Sequence, residues 1–257
     1  MPQASDDHRS GAQTVERALS LLQCFEGASA EIRLSELAHQ TGLTVSTTHR
    51  LARVLTRSGY LVQNPDNERY RLGPALVVLG HRAQAGLGYD RAMQTLEALA
   101  LETGESVNLG IRSAADVLVV LDVASTSPLR FAQGAGTRVP IHTSAMGKCL
   151  LAFSEYPDNE VSSLPELLRL TPNTITRRDQ LAEELSHVRA QGWAVNDEER
   201  LPGVRAIATP VLGQNGVAVA AIAVQGPSVR IDDTRLTALV EPLQRAARTV
   251  ALALAAI

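Results

Sequence analysis

The chain has 257 residues, 45% of them hydrophobic and only 3% aromatic, with a formal net charge of −3. That length is comfortable for two domains with aliphatic, alanine-rich cores, and the acidic balance excludes a globally basic nucleic-acid coat while leaving local patches open. No apolar run approaches the roughly 18 residues that cross a bilayer. Cys24 and Cys149, far apart in apolar helical patterns, suggest neither a disulfide framework nor a zinc motif, which fits a reducing cytoplasm.

Met1–Gln13 is polar, lacks the apolar core of a secretory signal and reads as a disordered arm. A first helix is expected from Thr14 to Glu26, with Val15, Ala18, Leu19, Leu22 and Phe25 recurring at helical spacing. A second begins near Ser35, read as its N-cap, and ends where Gly42 supplies a turn. Thr44 caps a third helix to about Ser58, with Gly59 as its stop. Two β-rich runs, Tyr60–Gln63 and Arg69–Leu72, flank the turn formers Asn64, Pro65, Asp66 and Asn67. Three helices followed by a hairpin make a winged helix-turn-helix over residues 14–73.

A linker helix is expected at 74–89, followed by a second domain over 90–257. Within it a helix at Asp90–Glu102 precedes β-rich runs at Val107–Ile111, Val117–Val123 and Leu129–Ala132. Helices follow at Thr143–Phe153, Asp158–Arg169 and Arg178–Gln191. Strands return at Trp193–Asn196, Ala206–Leu212 and Val217–Gln225, the last two joined by "GQNG" as a hairpin. A long helix at Thr234–Ala256 closes the chain. Strands grouped around helices imply an α/β architecture of the α+β kind, built on a central antiparallel sheet.

The third helix carries the chemistry of a DNA-reading element. One face is apolar, while Ser46, Arg50, Arg53 and Arg57 fall on the other at spacings of 4, 3 and 4. Short hydroxyls at Ser46, Thr47 and Thr48 allow close approach to the major groove, and Arg50 suits a bidentate guanine contact. Arg69 and Arg71 in the hairpin are placed to reach the minor groove or flanking phosphate. Between Thr44 and Gly73 five arginines face Asp66 and Glu68, so the local balance is positive. The competing reading is a solvated amphipathic helix in a protein-interaction domain. The hydroxyls, the arginine stripe and the wing together favour DNA.

An enzymatic alternative rests on Ser144 and Lys148, four apart on an expected helix, as a serine–lysine hydrolase with an appended interaction domain. The S-x-x-K, G-x-S-x-G, SDN and KTG elements of such enzymes are absent. Lys148, the sole lysine, reads instead as pointing away or pairing with an acid. His142 has no second metal ligand at metal-site spacing. The "GAG" at Gly134–Gly136 precedes a β-like run and fails the dinucleotide context. No cofactor or metal is expected, and the acidic run Asp197–Glu199 reads as a solvated loop between strands.

Six segments in order, "TVERALSLLQCF", "RLSELAHQTGLTVSTTHRLARVLTRSGYL", "RYRLG", "VPIHTSAMGKCLLA", "GWAVNDEE..PGVRAIATPV" and "AIAVQGPSVRI", resemble the IclR family of bacterial transcriptional regulators over nearly the whole chain. The resemblance implies a cytoplasmic, non-enzymatic regulator with an N-terminal winged helix-turn-helix, a linker helix and a GAF-like effector domain. It implies homodimers, or homotetramers formed from them, on (pseudo)palindromic operators, with a small organic acid as effector and no membrane partner. Carried over by position, DNA contacts fall on Arg17, Thr44, Ser46, Thr47, Thr48, Arg50, Arg53 and Arg69. The effector site falls on Phe131, Ala145, Met146, Gly147, Asn196, Ala206, Ala223 and Gln225.

The chain departs from that pattern. Family members that bind small carboxylates carry aspartate where Asn196 stands, cysteine at Ala206 and serine at Ala223 and Gln225. Two alanines remove polar partners and widen the site, and an unpaired buried polar group costs about 1–3 kcal/mol. The expected ligand is therefore larger, with an apolar or aromatic body. Its acid end is expected at Asn196, Gln225 or the helix start near Ser144–Gly147.

Overall fold

The computed structural model describes residues 4–26 and 29–254, with side chains from residue 11 onward. The chain divides into two compact units, Met1–Gln84 and Ala85–Ile257.

In the first unit, helix α1 spans Ala4–Gln23 and continues as a single 3-10 turn, Cys24–Glu26. The helix thus begins well before Thr14, within the segment expected as an arm; Met1–Gln3 lie outside the described residues. Helix α2 (Leu34–Thr41) starts one residue before Ser35. Its cap is Arg33, whose N–H donates to the Glu36 carboxylate at 2.8 Å, so Ser35 is the second helical residue and not the cap. Gly42 closes α2 in the left-handed region, at φ 67°, where a side chain would be strained. Helix α3 (Val45–Arg57) is capped by Thr44, whose hydroxyl accepts from the Thr47 N–H at 3.3 Å.

Strands β1 (Leu61–Gln63) and β2 (Tyr70–Leu72) form an antiparallel hairpin with Leu61 opposite Leu72. Leu21, Leu37, Leu51, Leu55, Leu61 and Tyr70 close one core under the three helices and the hairpin. Helix α4 (Pro74–Gly86) buries none of its residues and leaves Val77, Val78 and Leu79 exposed.

The second unit opens with α5 (Tyr89–Thr103), then β3 (Ser106–Ser113), β4 (Asp116–Val123) and β5 (Arg138–Pro140). Helices α6 (Ala145–Ala152), α7 (Pro157–Ser163) and α8 (Arg178–Gln191) follow. Strands β6 (Ala194–Asp197), β7 (Val204–Leu212) and β8 (Ala218–Pro227) complete one antiparallel sheet in the order β5-β4-β3-β8-β7-β6. Helix α9 (Asp233–Leu254) closes the unit, and Ala255–Ile257, within or beyond the expected helix, lie outside the described residues. This is the expected α+β architecture.

The sheet has two packed faces. Leu109, Ile207 and Ile222 meet α5 and α9 through Leu96 and Leu243. The opposite face carries Val117, Ala208, Ala221 and Ala223 against Cys149 of α6 and Leu185 of α8. Small residues on β7 and β8 let α6 lie close to the sheet. Gly147 is needed in α6 because a Cβ there would stand 1.8 Å from the Ile141 carbonyl oxygen. Every residue of α6 is buried.

Two expectations fail for local reasons. Leu129–Ala132 is not a strand; the edge pairing with β4 is made by Arg138–Pro140. The helix expected to Arg169 stops at Ser163, because Leu164 precedes Pro165 and takes an extended ψ of 149°.

Candidate nucleic-acid interface and ligand-binding face

Helix α3 presents Ser46, Arg50, Arg53 and Arg57 to solvent. None of these arginines has a carboxylate partner among the described residues, so their charge is available to a polyanion. The hydroxyls of Thr44, Ser46 and Thr47 form a cluster, with Thr44 Oγ1 donating to Thr47 Oγ1 at 2.9 Å and lying 3.1 Å from Ser46 Oγ. Arg50, Arg53 and Arg57 border a groove of about 540 Å³ that runs between α3 and the hairpin residues Gln63 and Tyr70.

Thr48 departs from expectation. It is fully buried and its hydroxyl donates to the Thr44 carbonyl at 3.0 Å, so it braces the helix start and offers nothing to a groove. Arg69 is also engaged, donating to the Glu31 carbonyl at 3.3 Å. The Glu31 carboxylate accepts from Asn67 at 3.0 Å and from Asn64 at 3.3 Å, and these two bonds hold it below the usual carboxylate range. The hairpin tip is thereby tied to the segment before α2. Arg71 and Arg17 are exposed.

In the second unit, the α6 face of the sheet gathers the remaining candidate residues. Ala206 on β7 stands between Asn196 on β6 and Gln225 on β8 in register, and Ala223 pairs with Asn108 on β3. Met146 on α6 lies over Gly110 of β3. Ala145, Met146 and Gly147 pack at the start of α6, where the Gly147 N–H is already taken by Ser144 Oγ at 3.0 Å. The third N–H of the helix is thus capped internally by the residue that precedes α6. Asn196 is likewise engaged: its side-chain oxygen accepts from the Glu199 N–H at 2.9 Å.

Residues that periodicity did not single out complete this face. Asn108 interrupts the apolar strand β3 and is fully buried. It accepts from Gln225 Nε2 and donates to Asp122 at 2.7 Å and to the Gln133 carbonyl at 3.3 Å. Burial pushes the Asp122 carboxyl up, against the pull of that Asn108 bond. The loop between β4 and β5 is pinned to β3 by Ser106 Oγ, which donates to the Phe131 carbonyl at 2.7 Å. The Arg200 guanidinium lies 5.9 Å from the Phe131 ring centroid and donates to Gln133 Oε1. Because arginine only donates, that bond orients the Gln133 amide and leaves Nε2 buried with no acceptor, a cost of about 1–3 kcal/mol.

The acidic run is not simply a solvated loop. Asp197 is exposed, but Glu199 is buried and its carboxylate meets Lys148 Nζ at 2.6 Å. Lys148 also reaches Glu184 at 2.9 Å and the Val195 carbonyl at 2.9 Å. Burial pushes the Glu199 carboxyl up in opposition to Lys148. Thr171 and Thr174 donate to the Glu198 and Glu199 carbonyls at 2.8 and 2.6 Å, fixing the loop in place. Glu198 takes a left-handed φ of 55°, and its carboxylate accepts from the Gly203 N–H at 2.7 Å.

These contacts also dispose of the serine–lysine dyad. Ser144 caps α6 and Lys148 is committed to two carboxylates, so no base faces the hydroxyl. Among the described residues no cluster of histidine, cysteine and acid side chains is grouped to hold a metal, and no helix is long and apolar enough to cross a membrane.

A winged helix-turn-helix with a free arginine stripe, followed in the same chain by a sheet domain with a polar inner face, defines a DNA-binding transcriptional regulator. Residues 14–65 match the IclR helix-turn-helix domain and residues 89–252 match the bacterial transcriptional regulator IclR C-terminal domain. The chain is 32% identical over 244 residues to the HTH-type transcriptional regulator XynR of Escherichia coli K12, covering 94% of this chain and 97% of that protein. It superposes on the IclR transcriptional regulator from Alicyclobacillus acidocaldarius with a TM-score of 0.86 at 27% identity, over 94% of this chain and 98% of that one. An IclR homologue from Microbacterium hydrocarbonoxydans, solved with 4-hydroxybenzoate, shares the fold with a TM-score of 0.81 at 24% identity, over 95% and 100% of the two chains. The chain belongs to the IclR family, whose members regulate transcription and are not enzymes.

Proposed function

We propose that this chain is a ligand-responsive cytoplasmic regulator that binds a (pseudo)palindromic operator as a homodimer or a pair of homodimers. It senses a small organic acid with an apolar or aromatic body in its second unit. The observation that carries the DNA half of this reading is the exposed series Arg50, Arg53 and Arg57 beside the hydroxyls of Ser46 and Thr47. Ser46, Thr47, Arg50 and Arg53 are the groove-facing set, Thr44 presents that set, Arg17 adds phosphate contact, and Arg69 holds the wing. For the ligand half, Ala206 and Ala223 give an apolar floor with Asn196 and Gln225 beside Ala206 in register and Met146 in the same core, and the reading adds Phe131 from the β4–β5 loop.

The test is a gel shift with the region upstream of the chain's own gene. Arg50→Ala should weaken operator binding by at least about tenfold, the cost of one bidentate base contact. Wild-type affinity should fall steeply with salt, as counterions released from several phosphates require. Equal binding by wild type and Arg50→Ala would remove α3 as the reading helix.

A further inference from the structure

Arg200 and Gln133 form an incomplete receptor. Arg200 is partly buried, its burial lowers its pKa, and no described carboxylate pairs with it. Other partly buried arginines of this unit are paired: Arg205 with Asp197 and Asp233, and Arg230 with Glu105. Gln133 is 4% exposed, and its Nε2 has no acceptor. The guanidinium donates to Gln133 Oε1, and Nε2 of the same amide is left with no acceptor. The Phe131 ring lies against the same guanidinium.

We propose that Arg200 and Gln133 Nε2 anchor the carboxylate of the effector, with the Phe131 ring packed along its flat apolar body. This rests on the reading of the chain as an organic-acid sensor and adds the residues that receive the charge. A carboxylate is acceptor-only and has two oxygens, so it satisfies both donors at once. The acid end then sits at the β6–β7 and β4–β5 loops. The apolar body points inward over Ala206 and Ala223. Arg200 is thus a specificity-determining residue for anions over neutral ligands of the same shape.

Calorimetry on the full chain tests this with 4-hydroxybenzoate, benzoate, phenylacetate and pyruvate, together with the methyl esters of the aromatic acids. The expected result is that at least one aromatic acid binds wild type and its ester binds far more weakly. Arg200→Gln should weaken the acid about 30-fold while leaving ester affinity unchanged, and Arg200→Lys should recover part of the loss. Gln133→Leu should weaken the acid about tenfold. A residue that merely braced the loop would weaken acid and ester alike, which overturns the assignment. Acid binding by Arg200→Gln as tight as wild type also overturns it, leaving the organic-acid reading intact. If none of the acids binds wild type, that reading falls and takes this one with it. Unchanged thermal midpoint and operator binding of Arg200→Gln check that the variant is folded.

Discussion

At Thr44–Arg50 hydroxyl chemistry separates by burial. Ser46 is exposed, whereas Thr48 spends its hydroxyl on the Thr44 carbonyl at 3.0 Å. Ser46→Ala should therefore lower operator affinity without changing stability, and Thr48→Val should lower the melting temperature by leaving the helix start unbraced, with sequence preference unchanged in a binding-site selection. His142 makes a second case. It is buried, Nε2 lies 3.1 Å from the Leu168 carbonyl, and burial lowers its pKa from the ordinary 6.5. A carbonyl only accepts, so Nε2 carries the proton of a neutral ring. The unfolded chain then binds a proton more readily than the folded one below pH 6.5. The stability His142 contributes is present above that pH and is lost as pH falls toward the folded value, by at most about 1.4 kcal/mol per pH unit. Denaturation series at pH 7.5 and 5.5 should show a smaller loss in His142→Gln than in wild type.

Helix α6 is the element on which the second unit turns. It is buried throughout, and it carries a lysine with 2% side-chain exposure between Glu199 and Glu184. Removing one partner of a buried pair strands the other, at a cost of about 3–5 kcal/mol. Lys148→Met should show that loss in urea denaturation, and Lys148→Met combined with Glu199→Gln should recover part of it. Gly147→Ala is a packing test of the same helix. Its Cβ would overlap the Ile141 carbonyl, so we expect α6 to lift from the sheet and the thermal transition of this unit to drop sharply. The apolar α6 pattern was plain in "AMGKCLLA", but the acids that neutralise its lysine come from 36 and 51 residues away. No local pattern could pair them.

At the scale of the whole molecule, the proposed ligand and operator must be linked thermodynamically if both bind this chain. If an acid changes operator affinity by some factor, operator DNA must change acid affinity by the same factor. Titrating the acid with and without a saturating operator duplex, and the operator with and without saturating acid, should give equal ratios. Footprinting should show two half-sites about 10 base pairs apart, or a multiple of that, if paired reading heads bind one face of the duplex.

The sequence by itself determined the order and kind of elements, because apolar periodicity and turn chemistry are local. It placed α3 with its arginine stripe, α8 residue for residue, and the antiparallel β7–β8 hairpin. It also brought Asn196, Ala206, Ala223 and Gln225 to one face, through the family resemblance of segments spread along the chain. It misplaced the edge strand, because "LRFA" has strand composition but its Phe131 carbonyl accepts from the Ser106 hydroxyl of β3, whereas β4 pairs instead with Arg138–Pro140. Only the tertiary structure decided which polar groups are spent and which are free. Asn196, Thr48, Ser144 and Glu199 look available in sequence and are bonded in the fold. Arg200 and Gln133 look ordinary in sequence, yet 67 residues apart they meet and leave the Gln133 Nε2 donor unsatisfied. A side chain's type is written locally, but its satisfaction depends on neighbours that only the folded sheet supplies.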